Sequence, residues 1–240
     1  MYSFDGRVRY SECDEDGRLS LVSMMNYLQD CSTFHSEELN MGVGWLGEQG
    51  LGWILASWLI ELDQLPRFGE KIRTSTWCYG IKGLQAQRCF SIEDASGRPV
   101  VRADSQWFLF DRNAGKVCRI PESQHCYLTD EPRADLPPME RKLKLEGEGV
   151  KASPILVTKQ HLDTNRHVNN AQYVMFALDA LAELGHALDV RRITVQYRTM
   201  AWLGDKVFPR VYPCEGGYAV ELTDGADVTY AIVKLQEAQA

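Results

Sequence analysis

The chain has 240 residues, 45% of them hydrophobic and 25% charged, with a net charge of −7. That length suits one large domain or two of ordinary size, with enough apolar residues for a substantial core. The acidic balance argues against general nucleic-acid binding, although a local basic patch stays open. The seven cysteines are an odd number without a C-x-x-C pair, so neither a disulfide framework nor a zinc site is indicated. Scattered thiols fit a reducing cytoplasm, and buried packing is the expected fate of each. Met1-Tyr2-Ser3-Phe4 lacks the charged start and apolar core of a signal peptide. The longest apolar stretch, Trp53 to Ile60, is too short to cross a membrane. The expectation is a soluble, cytoplasmic protein without membrane insertion.

In chain order, Val8 to Ser20 leads into a helix, with Leu21, Met24, Met25, Leu28, Cys31 and Phe34 at helical spacing. Strand signals follow over Trp53–Asp63, Lys71–Tyr79, Leu84–Asp94 and Val100–Asp111. Turn chemistry separates them at Pro66-Arg67-Phe68-Gly69, Ser96-Gly97 and Asn113-Ala114-Gly115. Arg119 to Gly149 holds Pro121, Pro132, Pro137, Pro138 and many charges, and reads as a connector that proline restricts. A second helix carries Tyr173, Ala177, Ala180, Leu181 and Leu184, with Gly185 as its stop. Strands then follow over Arg192–Arg198, Asp205–Tyr212, Tyr218–Leu222 and Val228–Leu235.

The two halves repeat one plan. Asp14 aligns with Asp163, Asp16 with Asn165, Arg18 with His167 and Leu19 with Val168, and Gly69-Glu70-Lys71-Ile72 is echoed by Gly204-Asp205-Lys206-Val207. A long helix followed by several strands is an α+β plan with one helix against an antiparallel sheet. The expected division is 1–120 as an N-terminal unit, 121–150 as connector and 151–240 as a C-terminal unit. Two such units could join their sheets, each sheet covering its own helix.

The segment Asp163-Thr164-Asn165-Arg166-His167-Val168-Asn169-Asn170 carries the chemistry. An extended backbone projects alternate residues to one side, which would turn Asp163, Asn165 and His167 toward one pocket. Asn169 and Asn170 follow as N-cap candidates, and the first turn of the helix would offer backbone N–H groups and the positive end of its dipole. A base or nucleophile, an orienting amide and oxyanion donors would then meet, which is the equipment for attack on a polarised carbonyl. The plainer reading is a polar turn whose histidine bonds only to backbone. The first copy has Asp16 and Arg18 in place of amide and imidazole, so one half would do chemistry while the other shapes a binding cavity.

With these residues in view, the chain resembles the acyl-acyl carrier protein thioesterases of plants and bacteria, over nearly its whole length. Asp163-x-Asn165-x-His167-x-Asn169-Asn170-x-x-Tyr173 is similar to that family's active-site motif. Trp58 to Gly80, centred on Leu65-Pro66-Arg67-Phe68-Gly69-Glu70 and reaching Thr76-Trp77, resembles a first-half block. Arg88-x-Phe90-x-Ile92, Trp107-Phe108-Leu109 and Arg119-Ile120-Pro121 resemble another. The resemblance implies two tandem hotdog units, each a long helix wrapped by an antiparallel sheet. It also implies hydrolysis of fatty acyl thioesters on acyl carrier protein, with no metal or organic cofactor. Asp163 would be base or nucleophile, with Asn165 and His167 assisting and Asn169 and Asn170 contacting substrate.

One departure stands out: the family's Glu, and in plants a following Cys, fall on Met200 and Ala201 here. Either Asp163 and His167 suffice, or Glu12, Asp14 or Asp16 contributes. The acyl chain is expected in an apolar tunnel with Met24, Met25, Leu28, Trp53 and Trp58 as lining. Docking of the acidic carrier would use Arg166, Arg191, Arg192, Arg198, Lys206 and Arg210, or Arg141, Lys142 and Lys144 in the connector. The alternatives are an acyl-CoA thioesterase and a non-catalytic acyl-binding or regulatory module. The fused repeat already supplies the pairing of single hotdogs, and a homodimer stays open.

Overall fold

The computed structural model describes residues 1–226 and 228–238. The chain divides into two units, Met1–Pro138 and Met139 onward. In unit 1, β1 (Tyr2–Arg7) leads through a 3-10 turn at Tyr10–Glu12 into α1 (Leu21–Glu38) and the short α2 (Val43–Glu48). β2 (Leu51–Leu62), β3 (Lys71–Lys82), β4 (Gln85–Glu93), β5 (Pro99–Asp111) and β6 (Lys116–Cys118) follow, then a 3-10 segment at Glu122–Tyr127. The sheet order is β1-β3-β4-β5-β2, antiparallel throughout, with β6 on β5. α1 packs on β1, β3 and β4.

Unit 2 repeats the plan. β7 (Val150–Lys151) and β8 (Ile155–Leu156) precede a 3-10 turn at Lys159–His161 and α3 (Asn170–Glu183). β9 (Arg192–Tyr197), β10 (Lys206–Cys214), β11 (Gly217–Thr223) and β12 (Thr229–Gln236) complete it. Here the order is β9-β12-β11-β10-β7, antiparallel, with β8 also on β10. α3 lies on β10, β11 and β12. Each unit is therefore a hotdog, an α+β arrangement of one long helix on its own antiparallel sheet.

Both helices start where capping chemistry allows. The Ser20 hydroxyl accepts from Ser23 N–H at 3.2 Å, and the Asn169 side chain accepts from Ala171 N–H at 2.9 Å. Met24, Met25, Leu28 and Cys31 are buried under α1. Phe34, expected on that stripe, is instead 45% exposed, and His35 takes the inward place. At about 100° per residue, position 35 returns to within about 20° of Met24, whereas 34 lies about 80° away. Phe34 packs edge-on against Phe4 at 5.4 Å. α2 has six residues, too few for a periodic signal to announce it.

Buried polar groups tie unit 1 together. Arg88, 8% exposed, approaches His35 Nδ1 at 3.1 Å and donates to the Thr76 hydroxyl at 3.1 Å, with its guanidinium 5.2 Å from the Tyr127 ring centre. Burial, reinforced by Arg88, pushes His35 down to about 4. The Asp104 carboxylate, 3% exposed, takes Arg133 at 2.7 Å and the Tyr79 hydroxyl at 3.0 Å. Arg133 also donates to the carbonyls of Leu136 and Pro137, and Trp77 to that of Pro132. In unit 2, Gln196 accepts from Leu143 N–H and donates to the Glu140 carbonyl. The proline-rich segment is thus held by side chains of the sheets rather than left loose.

Cys31, Cys78 and Cys89 are buried as expected, but Cys126 is exposed and the other three are intermediate. Burial raises Cys31 and Cys89 to about 12, so neither is a ready thiolate. Among the described residues no helix is long and apolar enough to cross a membrane, and no cluster of potential metal ligands occurs.

Two outcomes follow for stability. His35 is harder to protonate folded than unfolded, so its contribution falls as pH drops from about 6.5 to about 4. We expect a loss on the order of 2–3 kcal/mol across that window, reduced in His35→Gln; urea unfolding at several pH values measures it. Gly17 sits at φ 71° with open space around its α-carbon. Gly17→Ala should therefore cost about 1 kcal/mol from backbone conformation alone.

Candidate active site

Asp163 through His167 forms a closed loop rather than an extended strand. Arg166 N–H donates to the Asp163 carbonyl at 3.0 Å, and Asp163 N–H donates to the His167 carbonyl at 2.9 Å. Arg166 takes the left-handed conformation, φ 67°, that the turn requires. Alternation along a strand is therefore not what gathers the side chains; the chain folding back on itself is. Asp163 Oδ1 accepts from Asn165 N–H at 2.8 Å, the local bond that Asp favours in turns. Asp163 Oδ2 lies 3.4 Å from both Asn165 Nδ2 and His167 Nδ1. Carboxylate, amide and imidazole therefore converge on one oxygen. The Asp163 and His167 side chains are 13% and 20% exposed, while Asn165 lies on the exposed side.

Neighbouring elements fix the loop. Val168 N–H donates to the Ala201 carbonyl and Asn169 N–H to the His161 carbonyl, both at 2.9 Å. Tyr173, on the first turns of α3, accepts Ala201 N–H on its hydroxyl at 3.0 Å. Tyr197 donates to the Asn170 carbonyl at 3.0 Å. Burial holds the Tyr173 phenol up at about 12, so it stays protonated.

The oxyanion expectation needs correction. Of the N–H groups at the start of α3, that of Ala171 is taken by the Asn169 side chain and that of Gln172 by the Asn169 carbonyl, both at 2.9 Å. The cap that starts the helix thus takes two of the donors that the helix start was expected to offer. Asn169 acts as the cap, and its neighbour Asn170 is held through its carbonyl.

Unit 1 builds the same loop with different side chains. Gly17 N–H donates to the Asp14 carbonyl, Asp14 N–H to that of Arg18, Leu19 N–H to that of Pro66 and Ser20 N–H to that of Glu12. Gly17 occupies the left-handed position held by Arg166 in unit 2. Arg18 donates to the Leu65 carbonyl, and Asp14 Oδ1 takes Asp16 and Arg18 N–H. Glu12 accepts from Arg9 N–H and the Tyr27 hydroxyl. Of the stand-ins named for the missing Glu, Glu12 is bonded to Arg9 and Tyr27, Asp14 uses Oδ1 for its own turn, and Asp16 is exposed. Met200 is half-buried and Ala201 fully buried, so no carboxylate occupies either place.

Of the apolar candidates, Met24, Met25, Leu28 and Trp58 are at most 2% exposed. Trp58 packs against Phe90 with ring centres 4.9 Å apart and planes tilted by 56°. Trp53 packs beside Ala86, Leu109 and Ile120 and meets Tyr127 edge-on at 6.2 Å. Among the basic candidates, Arg191 pairs with Asp189 at 2.6 Å and Arg198 donates to Gln196 at 3.2 Å, while Arg166 stands exposed on the loop itself. Sequence reading overlooked Trp202, whose ring lies edge-to-face with that of His167 at 6.0 Å. The repeat carried the signal: aligning Gly69-Glu70 with Gly204-Asp205 sets Trp202 opposite Arg67.

Asp163→Asn keeps an oxygen for Asn165 N–H, whereas Asp163→Ala removes it. We expect the Asn variant to unfold within about 0.5 kcal/mol of the parent and the Ala variant to lose about 1 kcal/mol, by urea titration.

Known proteins carry the same plan. Residues 2–126 match the acyl-ACP thioesterase N-terminal domain, and residues 148–234 match the C-terminal domain of that family. A chloroplastic acyl-[acyl-carrier-protein] hydrolase of Cuphea viscosissima is 26% identical over 204 residues, covering 80% of this chain and 50% of its own. The chain spans about half the length of the curated relatives it matches. An acyl-ACP thioesterase structure from Bacteroides thetaiotaomicron superposes with a TM-score of 0.85 at 25% identity, covering 98% of this chain and 96% of that one. The 12:0-ACP thioesterase from Umbellularia californica shares the fold at 17% identity, with a TM-score of 0.83 and coverage of 98% and 96%. With both of its domains matched in order around one conserved plan, this chain belongs to the acyl-ACP thioesterase family.

Proposed function

We propose that the protein hydrolyses fatty acyl thioesters carried on acyl carrier protein, releasing fatty acid and carrier thiol. The observation that carries this reading is the single oxygen, Asp163 Oδ2, with Asn165 Nδ2 and His167 Nδ1 each 3.4 Å away, in a chain of this family. Those separations exceed a good hydrogen bond, and catalytic contacts commonly tighten only when substrate arrives. Oδ1 is committed to Asn165 N–H, which holds the carboxylate in place and leaves Oδ2 for chemistry.

In this mechanism Asp163 Oδ2 takes a proton from water as the water oxygen bonds to the thioester carbon. Negative charge collects on the carbonyl oxygen, where the Asn165 amide and the His167 ring N–H are the donors. The C–S bond then breaks, His167 delivers a proton to the departing sulfur, and the proton held by Asp163 passes to His167 across their 3.4 Å contact, restoring both groups. A carboxylate nucleophile at the same oxygen is the variant form, giving an anhydride that water opens. No cysteine enters, in keeping with the raised thiols of Cys31 and Cys89. Nor does a second carboxylate, since Met200 and Ala201 stand at the family's Glu and Cys places. The apolar residues Met24, Met25, Leu28, Trp53 and Trp58 are our candidates for acyl-chain contact. The exposed Arg166, with the basic groups of the connector, is our candidate for meeting the acidic carrier. The seven cysteines support a cytoplasmic setting.

The test is hydrolysis of matched dodecanoyl-carrier and dodecanoyl-CoA substrates by the parent and Asp163→Ala. A general base contributes about 10²–10⁴-fold, so kcat/KM should fall by that amount in the variant. Equal, slow hydrolysis by both proteins would support the acyl-binding module instead. A parent preferring the CoA substrate would support the acyl-CoA thioesterase.

A further inference from the structure

Trp202 is the residue beside the catalytic loop to which no role attaches. Its ring is half exposed, at 50%, yet its backbone is among the best-fixed stretches of unit 2. Ala201, just before it, donates to the Tyr173 hydroxyl and accepts from Val168 N–H. Trp202 N–H donates to Asp205 Oδ2 at 2.8 Å, and the same oxygen accepts the Tyr230 hydroxyl at 3.3 Å. Trp202 also forms an antiparallel bridge with His167. The backbone under this half-exposed ring is held through two tyrosines and a carboxylate, so the indole is presented at a fixed place beside His167.

The ring's neighbour shows what it serves. The indole and the His167 imidazole meet at 87° with centroids 6.0 Å apart, within the range of favourable aromatic pairs. Among the described residues, the polar contacts of the imidazole are long, 3.4 Å to Asp163 and 3.5 Å to the Val168 carbonyl. Neither is short enough to fix its orientation. The repeat supports the assignment independently. Unit 1 has the same backbone bridge, between Arg18 and Arg67, and there each side chain holds a backbone carbonyl, of Leu65 and Asp16. Both positions change together: where the loop carries imidazole, the facing position carries indole.

We propose that Trp202 is a positioning residue for His167, holding the imidazole with Nδ1 turned to Asp163. This rests on the hydrolase reading above. Without the indole the ring samples orientations in which Nδ1 leaves Asp163, and the fraction of enzyme with its base and proton donor aligned falls.

The test combines kinetics with a readout that needs no turnover. On dodecanoyl-carrier substrate, Trp202→Ala should lower kcat about 10-fold with KM within about 2-fold, and Trp202→Phe should recover most of it. In a His167→Ala background, Trp202→Ala should cost nothing further. Nitrogen NMR of the His167 ring should show one tautomer in the parent and an averaged pair in Trp202→Ala. Equal losses in both backgrounds, a change confined to KM, or an unchanged tautomer would overturn the proposal. A parent that hydrolyses no thioester while the tautomer still depends on Trp202 would sink the hydrolase reading and leave the positioning contact standing.

Discussion

Two backbone hydrogen bonds hold the candidate site together: Arg166 N–H to the Asp163 carbonyl, and Asp163 N–H to the His167 carbonyl. They close a loop small enough that side chains four positions apart face one another. A few neighbouring residues of unit 2 keep that loop shut and oriented. Val168 ties its end to Ala201, Asn169 ties it to His161 while starting α3, and Tyr173 holds Ala201 from the helix side. The constraint is backbone geometry, and the chemistry is whatever side chains hang from it.

The first copy makes the point. Unit 1 has the same bonds between equivalent residues, the same left-handed position and the same hand-off into a capped helix. Its side chains differ, and so does what they do: Arg18 and Arg67 grip carbonyls, and Asp14 is consumed by its own turn. A loop that closes with different side chains is evidence that closure is a property of the fold. The set of Asp163, Asn165 and His167 is an addition to one copy.

The cost of that addition shows in small departures. A non-glycine residue, Arg166, sits at positive φ where unit 1 uses Gly17. The Ala171 and Gln172 N–H groups at the helix start are taken by the Asn169 cap. The polar groups buried in unit 1, Arg88 with His35 and Asp104 with Arg133, belong to the architecture of that unit.

Much of this was legible in the residues. Helical spacing placed α1 and α3, glycine and proline marked the turns, and alternation of strand and turn set out the sheets, because these signals are local. The polar string from Asp163 to His167 marked out the candidate site by residue type alone. What the sequence could not carry was how those residues meet. Period-two alternation suggested a strand, and only the return of the chain, held by Ala201 more than thirty positions on, made it a closed loop. His35 rather than Phe34 faces inward because position 35 lies closer to the buried Met24 stripe, where its ring meets Arg88 of the sheet. Trp202 came beside His167 through a strand pairing between distant segments. Sequence determined which groups are present and which elements they ride on. Tertiary structure decided which of them touch, because contact across long separations depends on strand register and chain return, which no local pattern encodes.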